Sequence, residues 1–412
     1  MNNKQTITLS GYQIREQIYE SANSLIYRGI REDDRQRVIL KLLKENYPTP
    51  SEITRYKQEY EIILNLNLSI DGVIRVHNME FYQRSPLIIL EDFGGQSLKQ
   101  LLKEGLSRIK EEFLEIAIKT TKILEQIHSK NVIHKDINPA NIIYHPETRQ
   151  LKIIDFGIST QLTRENTALK NPNVLEGTLA YMSPEQTGRM NRALDYRTDF
   201  YSLGVTFYEL LTGKLPFETS DALELVHCHI AKQPVPANEV DTTIPKAVSD
   251  IVMKLMAKTS EERYQSAWGI QADLAECLHQ LQAKREIFDF TLGTQDISDK
   301  FQIPQKLYGR EAEVDILLSA FERVVASADF DTDARINGDN FQSKIEMMLV
   351  AGYSGIGKSA LVQEIYQPIT EKRGYFISGK FDQFQRNIPY SAIVAAFKEL
   401  VGQLLTESEP QL

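Results

Sequence analysis

His134-Lys135-Asp136-Ile137-Asn138-Pro139-Ala140-Asn141, followed after an apolar stretch by Asp155-Phe156-Gly157, decides how this chain is read. The two segments supply one carboxylate, Asp136, and two further oxygen ligands, Asn141 and Asp155. Phosphoryl transfer calls for that set: a carboxylate that orients a hydroxyl and accepts its proton, and hard oxygen donors that hold Mg²⁺ against nucleotide phosphates.

Working outward, the chain before this site is strand-rich and the chain around and after it is helical. Arg37 to Leu43 and Leu87 to Leu90 read as strands. Ser51 to Leu66 reads as a helix, opened by Ser51 as its cap, with Ile53, Tyr56, Tyr60, Ile63 and Leu64 on one face. Farther on, Phe113, Ile116, Ala117, Thr120, Leu124 and Ile127 form a helical stripe, and Tyr201 to Leu211 predicts another helix. A small sheet with one helix, then a larger helical part, predicts two lobes with a ligand cleft between them.

In this order and at this spacing the segments resemble the eukaryotic-type protein-kinase signature, from Tyr12 to Leu281. The resemblance implies an α+β bilobal fold, with a small β-rich N-lobe over 12–93 and a helical C-lobe over 94–281. It implies ATP in the cleft: Lys41 on the α and β phosphates, Glu59 as its ion-pair partner with Glu61 the competing candidate, and Mg²⁺ on Asn141 and Asp155. Asp136 would meet the acceptor hydroxyl. Ile18 and Ile26, in the stretch that aligns with the Gly-rich loop, and Glu91 and Phe93, which bracket Asp92 in the hinge, are implied at the nucleotide. Gly177-Thr178-Leu179-Ala180-Tyr181-Met182-Ser183-Pro184-Glu185 resembles the end of an activation segment, with Arg263 anchoring Glu185. Asp199 would brace the catalytic loop through its backbone amides, and His134 would pack beneath that loop.

Three departures from the family pattern bear on activity. Tyr19, Ser21 and Ser24 stand where glycines are usual, and a left-handed φ there would cost about 1–2 kcal/mol. Asn138 replaces a lysine; one charge at about 4 Å and an effective dielectric near 20 is worth at most ~4 kcal/mol. Lys135 replaces an arginine and loses the bidentate fork that clamps a phosphorylated loop. Thr163 and Thr167 are the expected autophosphorylation positions, and Thr178 is expected to bond near Asp136. Pro139 and Gly177-Thr178 favour a Ser/Thr over a Tyr acceptor. The implied function is a protein Ser/Thr kinase; the competing one is a pseudokinase that regulates a neighbouring ATPase.

Residues 282–305 turn polar and read as a linker. A helix is expected from Glu311 through Val325, then a loop over 328–344. Met347 to Ala351 reads as a strand leading into Gly352-Tyr353-Ser354-Gly355-Ile356-Gly357-Lys358-Ser359 and a helix from Ala360, with a second strand over Gly374 to Phe381. This fits GxxxxGK[ST] in a strand-to-helix context: Gly352, Gly355 and Gly357 let backbone amides cradle phosphates, Lys358 reaches them, and Ser359 ligates Mg²⁺. Residues 306–412 are thus expected to begin an α/β P-loop ATPase. No apolar run ending in paired acids follows Ser359, so the ATPase is expected to be incomplete here and the chain to be the N-terminal part of a longer protein. The combination resembles large bacterial signalling proteins in which a Ser/Thr kinase precedes a STAND/AAA-like ATPase, a GAF sensor and a histidine kinase. The implied partners are a protein substrate, this chain included, and those downstream domains.

Composition narrows the setting. The 412 residues favour two or three domains. With 47 basic against 56 acidic residues and a net charge of −9, no basic stripe suggests nucleic acid. Met1 to Gly11 is a polar lead without a signal-peptide pattern, and no long uncharged apolar run predicts a membrane span. Cys228 and Cys277 lack CxxC spacing, which fits a reducing compartment, the cytoplasm. His227-Cys228-His229 places its histidines on different helix faces and reads as structural.

Overall fold

A computed structural model describes residues 9–21, 23–45, 47–105, 110–161, 177–187, 194–297, 309–337, 345–353, 356–365, 368–369, 372, 374–379 and 390–404. An antiparallel sheet is formed by β1 (Tyr12–Glu20), β2 (Ser24–Arg31), β3 (Arg37–Leu43), β4 (Val76–Tyr82) and β5 (Ser85–Glu91), in the order β1-β2-β3-β5-β4, with aliphatic runs in its central strands β3 and β5. Val38, Leu40, Leu42, Leu87 and Ile89 close one face of the sheet. Helix α1 (Pro50–Asn67) covers the other, setting Tyr56, Ile63 and Leu66 against Ile88 and Leu90.

Two details of α1 differ from expectation. Its cap is Thr49, not Ser51: Thr49 Oγ1 accepts from the Glu52 amide at 3.3 Å, Glu52 Oε2 accepts from the Thr49 amide at 2.7 Å, and Pro50 opens the first turn. Leu64 is 44 % exposed, because the buried face runs through Tyr56, Glu59, Ile63 and Leu66.

The second lobe contains β6 (Gln96–Ser97), α2 (Leu98–Lys103), α3 (Lys110–Ser129), β7 (Val132–Ile133), β8 (Ile142–His145), β9 (Gln150–Ile153) and β10 (Thr160–Gln161). Helices α4 (Arg197–Thr212), α5 (Ala222–Ala231), α6 (Ala237–Val240), α7 (Lys246–Leu255) and α8 (Ala267–Lys284) complete it. The stripe from Phe113 to Ile127 on α3 is buried as expected, and α4 is buried on nearly every side at the centre. Strands β6-β8-β9 form one small sheet and β7-β10 another. The 134–141 loop therefore hangs between β7 and β8, and Asp155 follows β9, so both face the cleft. This is the two-lobed α+β architecture read from the sequence.

Part of the expected linker packs on the second lobe. Ile287, Phe290 and Leu292 lie against its core, and Asp296 accepts from the Gln265 and Ser266 amides at 2.9 Å. Alternating polar residues masked these three apolar anchors in the sequence.

Beyond them, α9 (Glu311–Asn337) runs past Val325 into the segment expected to be a loop, since no Gly or Pro interrupts it before Gly338. Helices α10 (Lys358–Gln363) and α11 (Ser391–Leu404) follow. Among the described residues, 345–353 and 374–379 are not in strands, so the two strands expected there are not seen. Met347 is 95 % and Leu349 91 % exposed. No helix among the described residues is long and apolar enough to cross a membrane.

Candidate active site

Strand alternation decides which way Lys41 faces. Val38, Leu40 and Leu42 fill the outer core, so Lys41 projects from the opposite face, registered between Ile26 and Ile88. Glu59 lies on the buried face of α1, whereas Glu61 is exposed, so the structure selects Glu59. Lys41 Nζ donates to Glu59 Oε1 at 2.6 Å, to Glu59 Oε2 at 2.9 Å and to Asp155 Oδ1 at 2.9 Å. Burial alone would lower the Lys41 ammonium, but Asp155 and Glu59 outweigh it and hold it well above its ordinary value. Burial likewise pushes the Asp155 carboxyl up, and Lys41 outweighs that, leaving it below the usual carboxylate range. Burial raises the Glu59 carboxyl against the pull of Lys41.

The 134–141 loop is held from below by Asp199 on α4. Asp199 Oδ1 accepts from the Lys135 amide at 2.7 Å, and Oδ2 accepts from the His134 amide at 2.9 Å and lies 2.7 Å from His128 Nε2. Burial pushes the Asp199 carboxyl up; His128 beside it and these donors bring it below the ordinary value. His128 is thus a member of the loop's foundation, a role that its helical stripe could not disclose. His134 sits beneath the loop, its Nε2 3.0 Å from the Ile154 carbonyl and its ring edge-on to Phe156 at 4.8 Å. Lys135 adopts a left-handed φ of 68°, a conformation that costs a side-chain-bearing residue about 1–2 kcal/mol. Its amide is fixed by Asp199, and its carbonyl accepts from Gln186 Nε2 at 2.8 Å.

That backbone aims Asp136. Its Oδ1 accepts from the Thr178 amide at 2.8 Å, and its Oδ2 accepts from Asn141 Nδ2 at 2.9 Å. Thr178 therefore meets Asp136 as expected, through its backbone. With its amide N–H₂ turned to Asp136, Asn141 presents its oxygen on the other side, and Asp155 supplies a carboxylate. Asn138 is buried; its Oδ1 accepts from the Ala140 amide at 2.9 Å and its Nδ2 donates to the Asp136 carbonyl at 3.1 Å. It stitches the loop together.

The segment end locks onto the same scaffold. Glu185 forms a buried bidentate pair with Arg263, at 2.6 and 2.8 Å, and burial's upward push on its carboxyl is outweighed by that guanidinium. Gln186 Oε1 accepts from the amide and hydroxyl of Ser183, each at 3.1 Å, while its Nε2 reaches Lys135. Gly177 has a φ of 110°, and a Cβ there would lie 3.2 Å from the Lys135 carbonyl oxygen and 3.5 Å from Asp136 Oδ1. Thr163 and Thr167 lie outside the described residues.

Above the cleft, the β1–β2 turn closes without glycine. Tyr19, Ser21, Asn23 and Ser24 all avoid the left-handed region, so the expected penalty does not arise at these residues. Ser21 Oγ accepts from the Ser24 amide at 3.0 Å and the Asn23 amide at 3.3 Å, and the Lys44 amide donates to the Asn23 carbonyl at 3.0 Å. Ile26 is half-buried beside Lys41, and Ile18 is 42 % exposed within an irregular stretch of β1. In the hinge, the Glu91 carboxylate is taken by Lys152 and by the Arg75 amide at 2.6 Å. Asp92 is taken by Arg28 and the Gly94 amide, and Phe93 packs on the core.

At the second nucleotide motif, Gly357 has a φ of 92° and immediately precedes α10. Lys358 Nζ donates to the carbonyls of Gly352 at 2.8 Å and Tyr353 at 2.7 Å, and Ser359 is exposed. Gly355 lies outside the described residues.

A strand lysine paired to a helix glutamate, a carboxylate–amide loop braced from a central helix, and a segment end pinned by an arginine define a nucleotide-dependent phosphotransferase fold. The chain belongs to the protein kinase family: residues 12–276 match the protein kinase domain model, and residues 336–412 match an AAA ATPase domain. Hybrid signal transduction histidine kinase G of Dictyostelium discoideum is 31 % identical over 387 residues, covering 73 % of this chain and 11 % of that protein. A probable serine/threonine-protein kinase of Clostridium perfringens is 32 % identical, covering 64 % of this chain and 38 % of that one. Serine/threonine-protein kinase PknB of Mycobacterium leprae is 30 % identical, covering 55 % and 36 % respectively. The chain thus spans well under half the length of these relatives.

Proposed function

We propose that this chain is an ATP-dependent protein serine/threonine kinase acting within a larger signalling protein. The carrying observation is Asp136, held by Thr178 on one oxygen and Asn141 on the other, across from the charged Lys41–Asp155 pair. Lys41, positioned by Glu59, binds the α and β phosphates, and Asp136 orients the incoming hydroxyl and takes its proton. Each Asp136 oxygen retains a lone pair for that hydroxyl. Ile18 and Ile26 line the adenine side. With the Glu91 and Asp92 side chains engaged, contacts there fall to backbone groups of 91–93 and to Phe93.

The donor set fits Mg²⁺: an amide oxygen on Asn141 and a carboxylate on Asp155 that stays ionised are hard oxygen ligands. Bound there, Mg²⁺ would neutralise charge on the phosphates. In the second module Gly352, Gly355, Gly357 and Lys358 hold a further nucleotide, with Ser359 its Mg²⁺ ligand. The AAA match and the hybrid histidine kinase relative support a kinase that signals to attached ATPase and two-component domains. A Ser/Thr-bearing protein is the substrate, Thr163 and Thr167 of this chain included, and the cytoplasm is the setting.

The test uses γ-labelled ATP, Mg²⁺ and a generic protein substrate, with wild type beside Asp136→Asn. Wild type labels the substrate, and Asp136→Asn falls at least a hundredfold. No labelling in either rejects the kinase reading in favour of a pseudokinase, and equal labelling in both rejects it by showing that the transfer does not use Asp136.

A further inference from the structure

The glycine-free turn between β1 and β2 is tied to the helix that carries Glu59. Ser24 Oγ and Tyr56 Oη share a hydrogen bond at 2.5 Å, and both residues are buried. Tyr56 sits one turn before Glu59 on the same face of α1, and its ring lies 5.7 Å below Lys41 Nζ. Burial pushes its phenol up to about 12, so it remains a neutral hydrogen-bonding group. Around this contact the turn is fastened at three more points. Ser21 Oγ accepts from the Asn23 and Ser24 amides, the Lys44 amide donates to the Asn23 carbonyl, and Lys44 Nζ pairs with Glu20 at 2.6 Å.

A turn built on glycines has no side chains with which to do this. Here every described residue of the turn has an ordinary φ, and one hydroxyl pair joins the turn to α1. We propose that Ser24 and Tyr56 form a latch that couples the lid over the nucleotide to the Lys41–Glu59 pair, making Tyr56 a positioning residue for ATP. The proposal rests on the kinase reading above. It accounts for a nucleotide lid without glycine: side chains hold the described residues of the turn in place, and the same hydroxyl pair keeps them against α1, whose Glu59 is already on Lys41.

Tyr56→Phe keeps the ring against Lys41 and removes only the hydroxyl, and Ser24→Ala removes the other partner. Each is expected to raise the KM for ATP about three- to tenfold, with kcat changed less, and the double variant to be no worse than either single one. Amide exchange in the turn is expected to quicken at least threefold in each. A latch that is only a satisfied core tyrosine would lower the melting temperature and leave the KM for ATP and turn exchange unchanged; that result overturns the proposal, as do additive single effects. If wild type transfers no phosphoryl group, the kinase reading falls by itself. Exchange then judges the latch: turn exchange unchanged by Tyr56→Phe rejects it.

Discussion

Gln186 offers a sharp test of how the catalytic loop is aimed. Its side chain makes three bonds: from the Ser183 amide, from the Ser183 hydroxyl, and to the Lys135 carbonyl. Gln186→Met keeps the length and loses all three. Ser183 is fully buried, so its amide loses a partner that water cannot replace, about 1–3 kcal/mol, and the Lys135 contact adds about 0.5–1.5. A loss of roughly 2–4 kcal/mol in unfolding free energy is expected, read from urea denaturation. Gln186→Glu separates stability from aim, because it still accepts from Ser183 but turns a carboxylate oxygen on the Lys135 carbonyl. Lys135 holds a left-handed φ at about 1–2 kcal/mol, and the Gln186 bond restrains its carbonyl side. Releasing it should misplace Asp136 enough to lower kcat about tenfold, or ~1.4 kcal/mol. The KM for ATP should hold, since Lys41, Glu59 and Asp155 do not touch Gln186. A Gln186→Glu variant with wild-type kcat refutes the reasoning.

Two further outcomes follow from buried charge. Glu185→Gln leaves Arg263 buried without its anion and should cost about 3–5 kcal/mol in urea denaturation; a loss under 1 kcal/mol would show that the remaining carbonyl acceptors suffice. Because the Glu185 carboxyl is held below its ordinary value, its contribution is complete above the usual carboxylate range and is lost as pH falls through the folded value; Glu185→Gln should lack that dependence. His229, hydrogen-bonded to Tyr201 at 2.9 Å, is pushed down to about 3 by burial and by Lys258. The unfolded chain therefore binds the proton first, so this contribution is complete above about pH 6.5 and declines toward pH 3 by up to about 1.4 kcal/mol per unit. His229→Gln should show a shallower slope, and equal slopes would refute the assignment.

Legibility followed the range over which each feature is encoded. The strand Arg37–Leu43 emerged with its sequence-read bounds, because a short β-branched and aliphatic run is a local signal. The α1 face was partly misread at Leu64, since a stripe of apolar letters does not say which of two neighbouring faces packs. Ile287, Phe290 and Leu292 were hidden among polar residues, and only packing against the core makes them anchors. The strands expected near the second nucleotide motif are not seen among the described residues for a related reason: β-propensity describes fit to a sheet, which an apolar run cannot specify alone.

By itself the sequence determined which chemical groups exist and in what order: one strand lysine, a loop with Asp136 and Asn141, Asp155 before Phe156-Gly157, and a second nucleotide motif. Tertiary structure decided which of their atoms meet. Lys41 meets Asp155 across 114 residues and Asp136 meets Thr178 across 42. Only packing brings such groups within 3 Å, because no local period runs that far. It also gave unmarked residues their work: His128 under the loop, Gln186 on a strained carbonyl, and Tyr56 joined to Ser24. Burial made the Tyr56 hydroxyl and the His128 imidazole groups that must find a partner, and the fold supplied one for each; the half-buried Gln186 amide found its own at the loop.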